Sequence, residues 1–261
     1  MEIFTLASSS SGNCTVVSHN GSLILIDAGI SLRRIRQGLQ SVGLTPDDLT
    51  GVLVTHEHID HISGIKMLVK YHKTPVFTSS GTAGGICRWA PEAEPFINCV
   101  GPGVEFPLGD IAVKSFKTPH DAYESVGYRL EAGGKKLAYI TDLGSVTDDI
   151  IDSACGADIA VIEANHDVAM LKTGPYPYYL KQRILSGHGH LSNPDSAGFA
   201  VRLAASGTRH ILLAHLSREN NTPRLARDTV ESTLSEEGIK VGGDVELDVA
   251  PPDTMGRKYI I

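Results

Sequence analysis

"VTHEHIDHISG", residues 54–64, sets three histidines, an aspartate and a glutamate within the six positions 56–61. The run before it, Gly51-Val52-Leu53-Val54, reads as a buried strand. Alternate residues on an extended chain point the same way, so His56 and His58 can grip one cation. Asp60 and His61 fall where the chain turns into a helix, and there they can face a second. Imidazole combined with carboxylate suits zinc, manganese or iron, not a thiolate-type site. The plain alternative is a solvated loop with Asp60 as a helix cap, but such loops seldom use three imidazoles at this spacing.

Working outward, ligand-type residues recur at strand ends. Asp27 closes "LILID", His120 follows "SFKTP", Asp142 closes "KLAYIT" and His215 closes "ILLA". A strand-terminal aspartate alone is often only a turn residue; four such sites added to the 56–61 cluster form a pattern. Short β-type runs open the chain ("IFTL", "CTVVS", "SLILIDAG"). A helix follows from Ser31 to about Val42, and a second is expected over about 60–71 with Ile62, Ile65, Leu68 and Val69 on one face. Residues 75–140 read mostly as strand. Beyond them come strands at 158–164 and 210–217, helices over about 195–205 and 223–238, and a last strand "DVELDVA". Two mixed halves with antiparallel centres predict an α/β (α+β) four-layer αββα sandwich, two mixed β-sheets flanked by helices, over a single domain of residues 1–261.

Composition fits an ordinary globular chain: 41% hydrophobic, 20% charged. No apolar run reaches the roughly 18 residues a membrane helix requires. The N-terminus lacks a basic and an apolar signal region, and Cys14, Cys87, Cys99 and Cys155 form no CxxC pair. A cytoplasmic protein with reduced thiols is the expectation. The net charge of −7 rules out global attraction to nucleic acid, so polyanion binding would have to be local or carried by metal ions.

The HxHxDH motif with a later His, Asp and His resembles the metallo-β-lactamase superfamily across nearly the whole chain. The resemblance implies a first metal on His56, His58 and His120, and a second on Asp60, His61 and His215. Asp142 would bridge them, with Asp27 as a structural aspartate holding the motif's loop. Asp142 stands where some members carry Cys, which fits a symmetrical site for phosphodiesters. His120 and Asp142 are 22 residues apart, leaving no room for the tRNA-gripping arm of transfer-RNA-processing relatives. Asp142 and His215 are 73 apart, too few for a β-CASP insertion. His58 stands where flavodiiron-type proteins have Glu. "LASSSSGNCTVV", "TPHDAYESVGYRLE", "ADIAVIEANHD", "GPYPYYLKQRILSGHGHLSN" and "LAHLSRENNTP" are similar to the WalJ/YycJ/VicX family of Gram-positive bacteria.

That resemblance implies a two-metal 5′→3′ DNA exonuclease linked to DNA repair, using manganese or zinc and acting on duplex ends or single strands. A homodimer and a functional link to a two-component signalling system are further expectations. The alternatives are a small phosphodiesterase for cyclic or nucleotide substrates, or a regulatory partner of that signalling system. Two divalent ions would acidify a water and neutralise the scissile phosphate, with Asp60 orienting the nucleophile. His190 resembles the non-ligand histidine that protonates the leaving oxygen, and Glu163 could hold and polarise it. The alternative is that His188 and His190 are a pair of surface-loop histidines, but the Gly-rich turn around them allows close backbone approach and favours a functional role. Ser8–Asn13, including Ser11 and Asn13, is either a phosphate cradle or a tight hairpin turn. Tyr178 and Lys181, in "YPYYLKQR", are candidates for stacking and backbone contact with a single strand.

Overall fold

The computed structural model describes residues 1–261. Strands β1 (Glu2–Ser9), β2 (Gly12–His19), β3 (Ser22–Ile26), β4 (Gly51–Leu53), β5 (Val76–Thr78) and β6 (Ile97–Cys99) lie side by side in that order. A second sheet holds β7 (Glu105–Leu108), β8 (Ile111–Lys117), β9 (Val126–Ala132), β10 (Lys135–Ile140), β11 (Ile159–Glu163), β12 (His210–Ala214) and β13 (Glu246–Val249), again in sequence order. The last strand, β14 (Tyr259–Ile260), returns to the first sheet beside β1. Each sheet changes character midway. β1, β2 and β3 are antiparallel and β3 to β6 parallel; β7 to β10 are antiparallel and β10 to β13 parallel.

Parallel neighbours need crossovers, and these are the helices. The first sheet carries α1 (Leu32–Gln40), α2 (Ile59–Ile62), α3 (Ile65–His72) and α4 (Ser80–Trp89). The second carries α5 (Asp148–Ala154), α6 (Val168–Thr173), α7 (Tyr178–Ile184), α8 (Asn193–Ala205) and α9 (Pro223–Glu236). Strand residues alternate between two apolar layers. Ile24, Ile26, Leu137, Tyr139, Ile159, Val161 and Leu212 meet between the sheets. Leu23 and Leu25 face the first sheet's helices, and Ala138, Ile140, Ala160 and Ile162 face the second's. A strand buried on both faces cannot show polar alternation, which is why the parallel strands read as continuous apolar runs. The expected αββα sandwich is the fold observed.

Two local expectations are corrected. The helix expected over 60–71 is broken at Ser63-Gly64 into α2 and α3. Gly64 donates its N–H to Ala28 O at 2.7 Å. A Cβ there would lie 2.4 Å from Ile30 O, so close backbone contact replaces the helix. Within the 75–140 region expected to be mostly strand, Ser80–Trp89 forms α4, with Ser79 Oγ accepting from Thr82 N as its cap.

Candidate metal centre

In each sheet the parallel strands end at one edge, and the chemistry-bearing side chains leave from those ends. Asp27 follows β3, residues 54–61 follow β4, Asp142 lies just beyond β10, Glu163 ends β11 and His215 follows β12; His120 comes from the loop after β8. Asp27, Asp142 and His215 adopt left-handed backbone angles (φ 61, 58 and 56°), a sharp turn directly after the strand.

His56, His58 and His120 bring one ring nitrogen each within 4.8 Å of one another, as do ligand atoms of Asp60, His61 and His215. Asp142 completes a third group with His56 and His61, and so stands between the two. The tautomers follow from acceptors that can only accept. His61 Nδ1–H donates to Asp27 at 2.8 Å, His120 Nδ1–H to Gly189 O at 3.0 Å, and His215 Nδ1–H to Glu163 at 2.8 Å. Each Nε2 thereby faces the cluster, where it could offer its lone pair to a cation. Asp27 also accepts from Thr55 N at 2.8 Å and from the Thr55 hydroxyl, so it fixes the motif's loop and one of its rings together.

His56 Nε2 and Asp142 Oδ2 are buried with no hydrogen-bond partner. A buried polar atom left unpaired costs about 1–3 kcal/mol, and a cation meets both at once. The donor set therefore fits divalent metal ions. Burial, then the neighbouring imidazoles, holds the His56 pKa well below its ordinary value; burial likewise lowers His120. Burial works against charge on His61 and His215 as well. There Asp142, with Asp27 and Asp60 around His61, lifts His61 well above the usual range, and Asp142, Asp60 and Glu163 push His215 up to about 10. Burial also opposes charge on Asp60, yet His61 and His215 hold its carboxyl below the usual range. A metal ion entering here would displace protons from these imidazoles.

His190 joins neither trio and groups instead with Asp142, Glu163 and His215. Its Nδ1–H donates to Glu163 Oε1 at 2.8 Å, the same oxygen that takes His215. Glu163 Oε2 accepts from Leu143 N at 3.2 Å and Leu191 N at 3.0 Å. Although burial opposes it, His190 and His215 keep Glu163 below the usual carboxylate range. Fully buried, Glu163 is a positioning residue for two rings and does not itself reach the cleft.

That cleft has a volume of about 280 Å³ and is walled by His58, Asp60, Asp142, His190 and His215 on one side. Tyr176, Leu180, Arg183, Ser10 and Ser217 also line it. Several expected substrate contacts lie elsewhere. Asn13 is 1% exposed; its side chain bonds Ser9 and Asp60 O, with Nδ2 3.1 Å from His61 Nε2, so it lies behind the cluster and not in the cleft. The Ser8–Asn13 run is a tight hairpin, with Ser9 paired to Gly12; Ser11 sits exposed at its tip, and Ser10 is the residue that reaches the cleft. Lys181 Nζ is bound to Lys172 O and Gly174 O, capping the end of α6. Tyr178 is 77% exposed and outside the cleft, while exposed His188 lines a neighbouring groove with Tyr123. Tyr176 and Arg183 take the places expected for Tyr178 and Lys181. The signal was the Leu180, Arg183, Ile184 spacing, one face of a helix.

Residues 23–216 match the family described as Beta-lactamase superfamily domain. The chain is 40% identical over 250 residues to exodeoxyribonuclease YycJ of Bacillus anthracis, covering 95% of this chain and 94% of that one. It is 37% identical over 258 residues to exodeoxyribonuclease WalJ of Streptococcus pneumoniae, with the same coverage. In three dimensions it superposes on the metallo-β-lactamase fold protein YhfI from Bacillus subtilis with a TM-score of 0.74 at 15% identity, over 99% of both chains. Its sandwich, its paired His/Asp clusters and these full-length likenesses place the chain in the WalJ/YycJ family of the metallo-β-lactamase superfamily.

Proposed function

We infer that this chain is a metal-dependent exodeoxyribonuclease that removes nucleotides in the 5′→3′ direction with two manganese or zinc ions. The observation that carries the reading is His190, held by buried Glu163 at the rim of a metal site built from imidazole and carboxylate alone. The full-length likeness to two exodeoxyribonucleases supports DNA as the substrate. A role in DNA repair goes with that substrate, and a reducing compartment such as the cytoplasm accords with four free cysteines.

His56, His58 and His120 would hold one ion, Asp60, His61 and His215 the other, with Asp142 between. Bound there, the ions supply Lewis acidity to the scissile phosphate and lower the pKa of nearby water. His190 is the proton donor. With Nδ1–H fixed on Glu163, the ring is held so that its Nε2 can hand a proton to the departing sugar oxygen. Asp60, at the cleft wall, accepts a hydrogen bond from the attacking water and orients it.

His190→Ala should lower kcat by about 10²–10⁴-fold with metal content unchanged. Near-normal turnover removes His190 from the mechanism. Digestion of duplex and single-stranded DNA labelled at either end, with manganese, zinc or magnesium and an RNA control, tests substrate and direction. Release of label from the 5′ end first is the expected result. Hydrolysis of cyclic nucleotides or bis(p-nitrophenyl) phosphate with DNA left intact would assign a small-molecule phosphodiesterase instead.

A further inference from the structure

Arg183 is the sole lysine or arginine among the residues lining the cleft, where Asp60, Asp121 and Asp142 all present carboxylates. In a chain of net charge −7, this guanidinium is the one permanently cationic side chain of the cleft that can meet a polyanion there. Asp121 engages Arg183 through Nε only. The two terminal nitrogens make no hydrogen bond within the protein and keep their N–H groups in the fork geometry that matches phosphate. The side chain is 54% exposed, and an exposed ion pair by itself contributes only about 0–1 kcal/mol, so the pairing with Asp121 serves better to aim the group than to stabilise the fold.

The aim is set by backbone. Ile184 O accepts from His190 N at 3.0 Å, and Gly189 N bonds Ser186 O at 2.9 Å. The end of α7 is thus stitched to the loop that carries His190, and Asp121 lies 3.3 Å from His120 Nε2. Arg183 is held in register with both the proton donor and the metal cluster, on the face of α7 that Leu180 and Ile184 turn into the cleft.

We propose that Arg183 binds the phosphate next to the scissile one through its terminal nitrogens, and so makes a polynucleotide a better substrate than an isolated diester. The inference rests on DNA being the substrate. Kinetics of the full chain on a short single-stranded oligodeoxynucleotide and on bis(p-nitrophenyl) phosphate, at several salt concentrations, test it with Arg183→Ala and Arg183→Lys. Arg183→Ala should raise the oligonucleotide KM about tenfold or more with kcat within about threefold. It should also flatten the dependence of log KM on log salt by about 0.7. Arg183→Lys should recover the salt dependence but only part of the KM, since an ammonium keeps the charge and loses the fork. An unchanged KM and salt slope in Arg183→Ala overturns the proposal. Equal losses on both substrates overturn it too, because the small diester has no neighbouring phosphate, and would make Arg183 a scaffold for His190. If the unmodified enzyme hydrolyses the small diester and leaves the oligonucleotide intact both as a single strand and annealed to its complement, the DNA reading fails, and the inference with it.

Discussion

Asp27, Asp142 and His215 hold backbone angles that cost about 1–3 kcal/mol each for residues with a side chain, and all three sit at the metal cluster. The strain turns each side chain back from its strand end toward a shared point. A different cost is carried by His166, one residue after Asn165 of the cleft wall. It is 1% exposed and neither ring nitrogen has a partner. Burial, only partly offset by Glu163, presses its pKa down to about 4. The unfolded chain therefore takes up a proton near pH 6.5, before the folded one does, so stability rises with pH between about 4 and 6.5 and is complete above that window. On lowering the pH from 7 to 5, His166 should account for about 2 kcal/mol of lost stability. Urea unfolding of wild type and His166→Gln at both pH values measures it, and an equal loss in the two proteins would show that the ring does not titrate this way. Residue chemistry at the cluster was legible in the sequence because HxHxDH has few structural uses. The roles of Asn13 and Lys181 were not, since their partners are Ser9, His61, Lys172 and Gly174 and only the fold decides who meets whom.

At the scale of elements, α7 and the loop after it form one unit. A Cβ on Gly189 would lie 2.2 Å from Ile184 O and 2.3 Å from Arg183 O, both backbone atoms that cannot swing aside. Gly189→Ala should cost about 1–3 kcal/mol of stability. It should also push α7 off the loop, loosening the Gly189 carbonyl from His120 Nδ1. Thermal unfolding together with kcat and KM on DNA checks this, and wild-type values in all three would mean that the α7 junction tolerates a shift. Periodicity recovered the longer helices, α1, α8 and α9, whose apolar faces repeat over enough turns to be read. It missed α4, "SGTAGGICRW", because three glycines lower its intrinsic helix preference. Burial of Ala83 and Ile86, with the Ser79 cap, decides that segment. The break between α2 and α3 was equally invisible, since it follows from the contact of Gly64 with the backbone of residues 28–30.

Over the whole molecule, the clustered side chains that could hold metal come from both sheets: His56, His58, Asp60 and His61 from the first, His120, Asp142 and His215 from the second. Ions bound between them would bind the folded chain and not the unfolded one. Metal at 100 times its Kd would then add about 2.7 kcal/mol. Chelation should lower Tm by roughly 5–10 °C, and manganese or zinc should restore it, as followed by calorimetry. An unchanged Tm in chelator would contradict a site shared between the sheets. The sequence by itself determined the αββα architecture and the seven ligand-type residues, because strand periodicity and ligand chemistry are written into short, local stretches. Which side chains enter the cleft was decided only by the tertiary structure. Arg183 faces inward, Tyr178 outward and Lys181 toward the end of α6, because that depends on how α7 is rotated where it meets the 186–190 loop, through contacts that no single stretch of chain contains.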